Sequence, residues 1–162
     1  MKTIESILIL IGMLVLAYFA TKGNYKRNKK KVVKKLYKSY THTTFDYQLY
    51  NKINSYRFEN ALQLLSFSYR QSDVAYSHSK WMADNKTVNH DNMVDRSENF
   101  EQVYSEIVGY NFQDEGAFMK AWMASEKHNK KLLNKKAMQM GIASEKDDQG
   151  RLYVTVNFLE IE

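Results

Sequence analysis

The sequence contains neither cysteine nor proline among its 162 residues. Without cysteine, the chain has no disulfide, no thiolate metal ligand, no cysteine nucleophile and no lipid-modified cysteine. Without proline, it lacks one class of turn signal. Apolar residues make up 44% and aromatic residues 14% of the chain. This content excludes a disordered protein and predicts one folded domain with a tail.

Acidic residues are scarce at the N-terminal end. Residues 1–45 carry ten basic residues and one acidic residue, a net charge of +9, whereas the remaining 117 residues carry 14 basic and 17 acidic residues, a net charge of −3. The formal charge of +6 therefore belongs to the N-terminal segment, and the following domain is mildly acidic. We expect no nucleic-acid partner, because a basic face on the folded domain would be needed.

One long apolar run occurs near the N-terminus, at Ile7–Ala20. Its 14 residues fall at the upper end of the ~7–15 of a signal-peptide core and just below the ~17–25 of a spanning helix. Cleavage after the run would place Tyr18 at the −3 position, where small residues are preferred. We predict a transmembrane anchor or uncleaved signal at 1–21 and a basic juxtamembrane linker at 22–45. A cleaved signal and a buried soluble helix are the alternatives.

The basic run after the apolar segment, KRNKKKVVKK, bears on membrane topology. Basic residues beside a spanning helix stay on the cytoplasmic side, which would place the domain inside the cell. We expect residues 4–38 to contact membrane lipid, with the lysines near anionic headgroups. The alternative is a linker held against an acidic polymer of the cell surface.

The rest of the chain predicts an α+β fold, in which helices flank a small antiparallel sheet. Apolar spacing and cap residues predict helices that begin near Thr44 or Asp46, after Ser72 or Asp73, at Asp114 and after Ser125, with a further short helix at Glu98–Val103. Strands are predicted at Ile107–Tyr110, Met138–Ser144 and Leu152–Leu159, the last two joined by a hairpin loop that ends near Gly150. This pattern predicts a three-layer α–β–α sandwich that follows the N-terminal anchor helix.

Two apolar stripes on the predicted helices are interpreted as core. The first includes His78, which we interpret as a buried core histidine whose polar atoms are satisfied. The second consists of aromatic and methionine residues that recur at helical spacing, namely Phe118, Met119, Trp122 and Met123.

Two histidines and a carboxylate, His90, His128 and Glu106, predict a functional site. Glu106 lies in a run of small and β-branched residues, where an unpaired charge would be costly to bury. Imidazoles near this carboxylate would pair with it, or would hold a divalent metal such as zinc together with it. We therefore expect a site, with a metal as one possible occupant.

Six segments, in order, resemble the CAP superfamily, the group that includes cysteine-rich secretory, antigen 5 and pathogenesis-related proteins. The match is to its short, cysteine-free bacterial branch and covers about residues 46–160. The segments are LYNKINSYR, VAYSHSKWMA, VNHDNMVDR, SEIVGY, AWMASEKHNKKLL and MGIA…G…YVTVNF.

The resemblance implies a CAP domain at 46–162 with a cleft lined by two histidines and two acidic residues. His90, Glu106 and His128 match the two histidines and one of the acidic residues. The second acidic position aligns near Ser125, with Glu126 adjacent. The chain departs from the family pattern in two places: Ile107 replaces the asparagine after the glutamate, and Glu126-Lys127 replaces Pro-Gly before the second histidine.

The resemblance favours a bacterial envelope protein that binds a lipid, glycan, peptide or partner protein through this cleft and is not an enzyme. It also implies a single-pass protein of the cell membrane with its domain facing outward, opposite to the topology that the charge distribution favours. Two alternatives stay open. One is an interaction subunit of an envelope protein complex with a vestigial cleft, and the other is a metal-dependent hydrolase.

Overall fold

The computed structural model describes residues 40–91 and 104–160, which form a mixed α+β domain. The described residues contain four helices: α1 (Thr44–Glu59), α2 (Tyr69–Asn85), α3 (Glu115–Ala124) and α4 (Glu126–Leu132). They also contain four strands: β1 (Ser66–Phe67), β2 (Tyr104–Tyr110), β3 (Ala137–Lys146) and β4 (Leu152–Glu160). The predicted anchor helix and the predicted helix at 98–103 lie outside the described residues. No helix in 40–91 or 104–160 is long and apolar enough to cross a membrane.

The strands form one sheet in the order β1-β3-β4-β2, so that β2 is an edge strand. The β3–β4 hairpin and the β2–β4 pair are antiparallel, as predicted. The expectation of a wholly antiparallel sheet is wrong, because β1 pairs with β3 in parallel through Ser66 and Phe67. The hairpin turn ends at Gly150, whose φ of +76° suits glycine.

Alternate residues of β4 face different helices. Val154, Val156 and Phe158 join the larger core with α1 and α3, whereas Tyr153 packs with Met82 of α2. Because the side-chain period of a strand is two, this alternation places helices on both faces of the sheet. The predicted arrangement of helices around the sheet is therefore confirmed for the described residues.

Helix α2 lies unusually close to the sheet. A Cβ atom at Gly141 of β3 would come within 2.2 Å of the backbone nitrogen of Ser72, so only glycine fits there. Ser72 Oγ accepts from the amide of Ile142 at 3.0 Å, and Ser79 Oγ donates to the carbonyl oxygen of Ala143 at 3.0 Å. These contacts fix the height and rotation of α2 above the sheet.

The helix ends differ slightly from the predicted ones. A capping box between Thr43 and Asp46 starts α1, and Asp114 caps α3 as predicted. The prediction for α2 begins too late, because Ser68 is its N-cap and accepts from the amide of Gln71. In the predicted core stripe of α3, Met123 is 38% exposed and does not belong to the core.

Asp46 also connects the start of the domain to β3. Its buried carboxylate accepts hydrogen bonds from the hydroxyl of Tyr40 at 2.7 Å and from Ser144 Oγ at 2.8 Å. The backbone amide of Tyr40 donates to Asp73 on α2 at 2.9 Å. Residues 40–43 are thus part of the folded domain, although the sequence places them in the linker.

Candidate functional site

Glu106 lies on the edge strand β2 with its side chain towards α2, and it is completely buried. Its cross-strand partner on β4 is Asn157, which is also completely buried. Ile107, the next residue along β2, points to the opposite face and joins the larger core. The strand therefore carries one polar and one apolar face, and the carboxylate has to find its partners on the polar side.

His90 is the first partner of this carboxylate. Its Nδ1 donates to Oε1 of Glu106 at 2.9 Å, and its side chain is 43% exposed. His90 follows the end of α2 by a few residues, so the approach of α2 to the sheet positions it. The predicted pairing of His90 with Glu106 is observed.

His78 is the second neighbour, and its place at the site is absent from the sequence prediction. Its Nε2 lies 3.7 Å from Oε1 of Glu106 and donates to the backbone carbonyl of Asn89 at 2.8 Å. The ring is 1% exposed and lies parallel to that of Trp81. The predicted burial of His78 is confirmed, but the residue also bounds the site. The sequence signal for this place was weak, because a histidine at helical spacing with Met82 is typical of a core position.

Helix α4 contributes His128 and Lys131. Lys131 Nζ donates to the backbone carbonyl of Glu106 at 2.7 Å, and this bond satisfies a carbonyl group on the sheet edge. Burial lowers the pKa of His128 below its ordinary value, and the neighbouring Lys131 and His90 side chains lower it further. Protonation of His128 is therefore less favourable in the folded protein than in the unfolded chain.

The two other predicted site residues, Ser125 and Glu126, lie at the junction between α3 and α4. Ser125 is the N-cap residue of α4, as predicted, and its carbonyl accepts from the amide of Asn129 at 2.8 Å. Its side chain makes no capping hydrogen bond. Glu126 occupies the first turn of α4 and is exposed. The structure thus brings His90 and Glu106 into contact and adds His78, while Ser125 and Glu126 lie at the helix start.

A metal ion at this site would need several His, Asp or Glu side chains directed to one point. In residues 40–91 and 104–160, no group of three or more His, Asp or Glu side chains could hold one. The nearest imidazole nitrogens of His90 and His78 lie at the same carboxylate oxygen of Glu106. The described residues therefore do not fit a zinc site by themselves, and the zinc site stays a prediction.

Replacing Glu106 tests whether this carboxylate organises the site. We expect Glu106→Ala to lower the free energy of unfolding by about 2–3 kcal/mol, because a buried side chain and its hydrogen bond are lost together. The control variant Lys52→Ala removes an exposed side chain of α1, and we expect it to cost below about 1 kcal/mol. Urea unfolding of both variants measures the difference. Equal costs would contradict a central role for Glu106.

The pKa of His128 tests the electrostatics around α4. We expect Lys131→Gln to raise this pKa, because a nearby positive charge is removed, and Lys130→Gln to change it little. NMR titration of the histidine Cε1–H signals measures the shift.

Since the pKa of His128 is lowered by folding, the unfolded chain takes up the proton first. Native stability is therefore lost as pH falls through the ordinary value towards the lowered pKa. A pKa of His128 at or above its ordinary value would contradict this arrangement.

The comparisons with known proteins agree with the fold. Residues 50–158 match the model of the Cysteine-rich secretory protein family, CAP, over more than half of the chain. Among solved structures, an outer surface protein of Borrelia burgdorferi is 20% identical, with a TM-score of 0.68 over 75% of this chain and 97% of that one. This likeness shows the fold.

Two relatives are more similar in sequence. An extracellular protein of Bacillus anthracis str. Ames that contains an SCP domain is 30% identical, with a TM-score of 0.62 over 70% of this chain and 39% of that one. The uncharacterized membrane protein YlbC of Bacillus subtilis (strain 168) is 30% identical over an alignment of 127 residues, which covers 73% of this chain and 35% of YlbC. This chain thus spans about a third of the length of YlbC. The family match over residues 50–158 confirms the resemblance that the motifs indicate, and the chain belongs to the cysteine-rich secretory protein (CAP) family.

Proposed function

We propose that this protein is anchored in the cell membrane of a bacterium with its CAP domain facing outward, and that it binds a ligand without catalysis. The ligand class is a lipid, a glycan, a peptide or a partner protein of the envelope. It is bound through the cleft around Glu106, His90 and His128.

The observation that carries the binding function is the burial of Glu106. A general base has to reach the proton that it removes, directly or through one water molecule. The carboxylate of Glu106 is completely buried and already accepts from His90. Its position suits a fixed acceptor that orients the imidazole better than it suits a base that acts on an external substrate.

His90 is the group that a ligand would meet. Its ring is 43% exposed, and its Nδ1–H is directed to the carboxylate. A neutral imidazole that donates from Nδ1 has an acceptor at Nε2. Such a ring favours a ligand with a hydroxyl or amide donor, which glycans, peptides and glycerol-based lipids all provide.

A metal-dependent hydrolase has less support, because Glu106 is hidden from solvent and the described residues do not form a metal-binding group. The role of an interaction subunit remains compatible with a bound partner protein, since the same cleft would take a peptide segment. Both alternatives differ from small-ligand binding in what His90 would contact.

The envelope location rests on the relatives and on the apolar run at residues 7–20. One relative at 30% identity is described as a membrane protein and the other as an extracellular protein. The basic residues at 22–38 would favour the opposite topology under the positive-inside rule. Topology therefore needs a direct experiment.

The absence of cysteine makes that experiment simple. We expect the variant Gln149→Cys, in the exposed β3–β4 turn, to react with a membrane-impermeant thiol reagent on intact cells. The wild-type chain supplies a zero background, because it contains no cysteine. Lys2→Cys, before the apolar run, is the matched control and should react only after lysis. The reverse pattern, with Lys2→Cys labelled on intact cells and Gln149→Cys only after lysis, would contradict an outward domain.

A further inference from the structure

A second concave surface lies on the opposite side of β2 from the carboxylate of Glu106. This groove encloses about 670 Å³ and lies between β2, α4, the segment after α4 and the end of β4. Its wall includes four lysines and one acidic residue, namely Lys127, Lys130, Lys131, Lys135 and Glu160. We call it the lysine groove.

The lysine groove is positively charged, although the domain as a whole carries a net negative charge. Residues 46–162 carry a net charge of −3, yet four ammonium groups face one carboxylate here. Burial lowers the pKa of Lys131, and the positive charge of Lys127 lowers it further, against the opposing effect of Glu106. The ammonium groups of Lys127 and Lys131 are thus close enough to repel each other.

Two lysines outside the groove have carboxylate partners. Lys80 and Lys86 each form an ion pair at 3.0 Å, with Asp84 and Asp148 respectively. By contrast, none of the four groove lysines forms an ion pair with a carboxylate of residues 40–91 or 104–160. Lys131 instead donates to the backbone carbonyl of Glu106. Positive charge concentrated without a carboxylate partner favours an anionic ligand.

Two further groups define the chemistry of that ligand. Ser105 lines the groove, and its Oγ is buried without a hydrogen-bond partner among the described residues. A hydroxyl group beside several ammonium groups is a donor set that matches the acceptor oxygens of a phosphate group. Leu133 and the methylene stems of the lysines provide apolar wall beside these donors.

We propose that the lysine groove is a second binding site, which takes a ligand that carries a phosphate ester. The lysines attract and neutralise the phosphate, Ser105 donates to one of its oxygens, and Leu133 contacts the organic part of the ligand. The source of the phosphate is either a membrane lipid headgroup or a soluble phosphodiester. The site does not use His90 or the carboxylate of Glu106, so it does not depend on the function proposed above.

The test uses the ¹⁵N-labelled full chain in a neutral detergent, titrated with two probes that share one phosphodiester. Glycerophosphoglycerol supplies the soluble phosphodiester, and dihexanoyl-phosphatidylglycerol below its micellar concentration supplies the same headgroup with acyl chains. We expect amide shifts at Ser105, Lys131 and Leu133. Site-resolved shifts are needed because the basic residues at 22–38 attract phosphate as well.

A pair of double variants provides the matched comparison. We expect Lys127→Gln/Lys130→Gln to weaken binding in the groove by about tenfold or more, because two of the phosphate-neutralising charges are removed. Lys120→Gln/Lys136→Gln removes the same charge from exposed positions that do not line the groove, and should change the affinity by less than about twofold. Superposable spectra without the probe confirm that each variant is folded.

The two probes separate the two sources. Binding of both indicates that the phosphodiester is sufficient, whereas binding of the lipid alone indicates a headgroup site that also requires acyl chains. Shifts confined to residues 22–38 with either probe would overturn the proposal. So would an equal loss of affinity in the two double variants. A failure here would leave the role of His90 untouched, because His90 does not line the lysine groove.

Discussion

The structure of the site depends on the burial of one carboxylate. Glu106 is completely buried on an edge strand, and a buried carboxylate is costly unless polar groups surround it. Its neighbours come from separate parts of the chain: His78 from α2 and His90 from the segment after α2. The carboxylate can be buried only if α2 and β2 are correctly packed. A folded CAP domain of this sequence therefore carries an assembled site.

The packing of α2 that allows Glu106 to be buried is determined by its contacts with β3, away from the site. Gly141 allows the backbone of α2 to approach β3, and Ser72 and Ser79 bond that helix to the same strand. Because His78 belongs to α2 and His90 follows it, the position of α2 at β3 determines where both histidines lie. Substitutions at Gly141 are thus expected to reach the site through the helix, without any direct contact.

Strand β2 separates two environments along its length. One face carries Glu106 and Val108 towards α2, and the other carries Ser105 and Ile107 towards α4 and the larger core. Lys131 links the two sides, because it lines the lysine groove and also bonds to the carbonyl of Glu106. The side chains around Glu106 and the lysine groove therefore share a strand but not their functional groups.

Much of this arrangement follows from the sequence, and the exceptions have physical causes. Strand β4 was predictable because its alternating residues face two different layers, and the start of α3 because Asp114 is a strong cap. Strand β1 was not, because two residues contain no periodicity and its parallel pairing is a long-range contact. The pairing of His90 with Glu106 could be expected from residue types and the family pattern. The approach of His78 to Glu106 was less predictable, because a histidine on an apolar helix face is typical of a core position.

The central claim is that His90, oriented by Glu106, contacts a bound ligand. The most direct measurement is native mass spectrometry of the full chain, purified in a mild detergent from the cells that produce it. The account predicts that the wild-type protein carries an additional bound mass, that His90→Ala loses it, and that the exposed α1 variant Lys52→Ala retains it. An equal bound mass on all three proteins, or none on the wild type, would contradict ligand binding through His90.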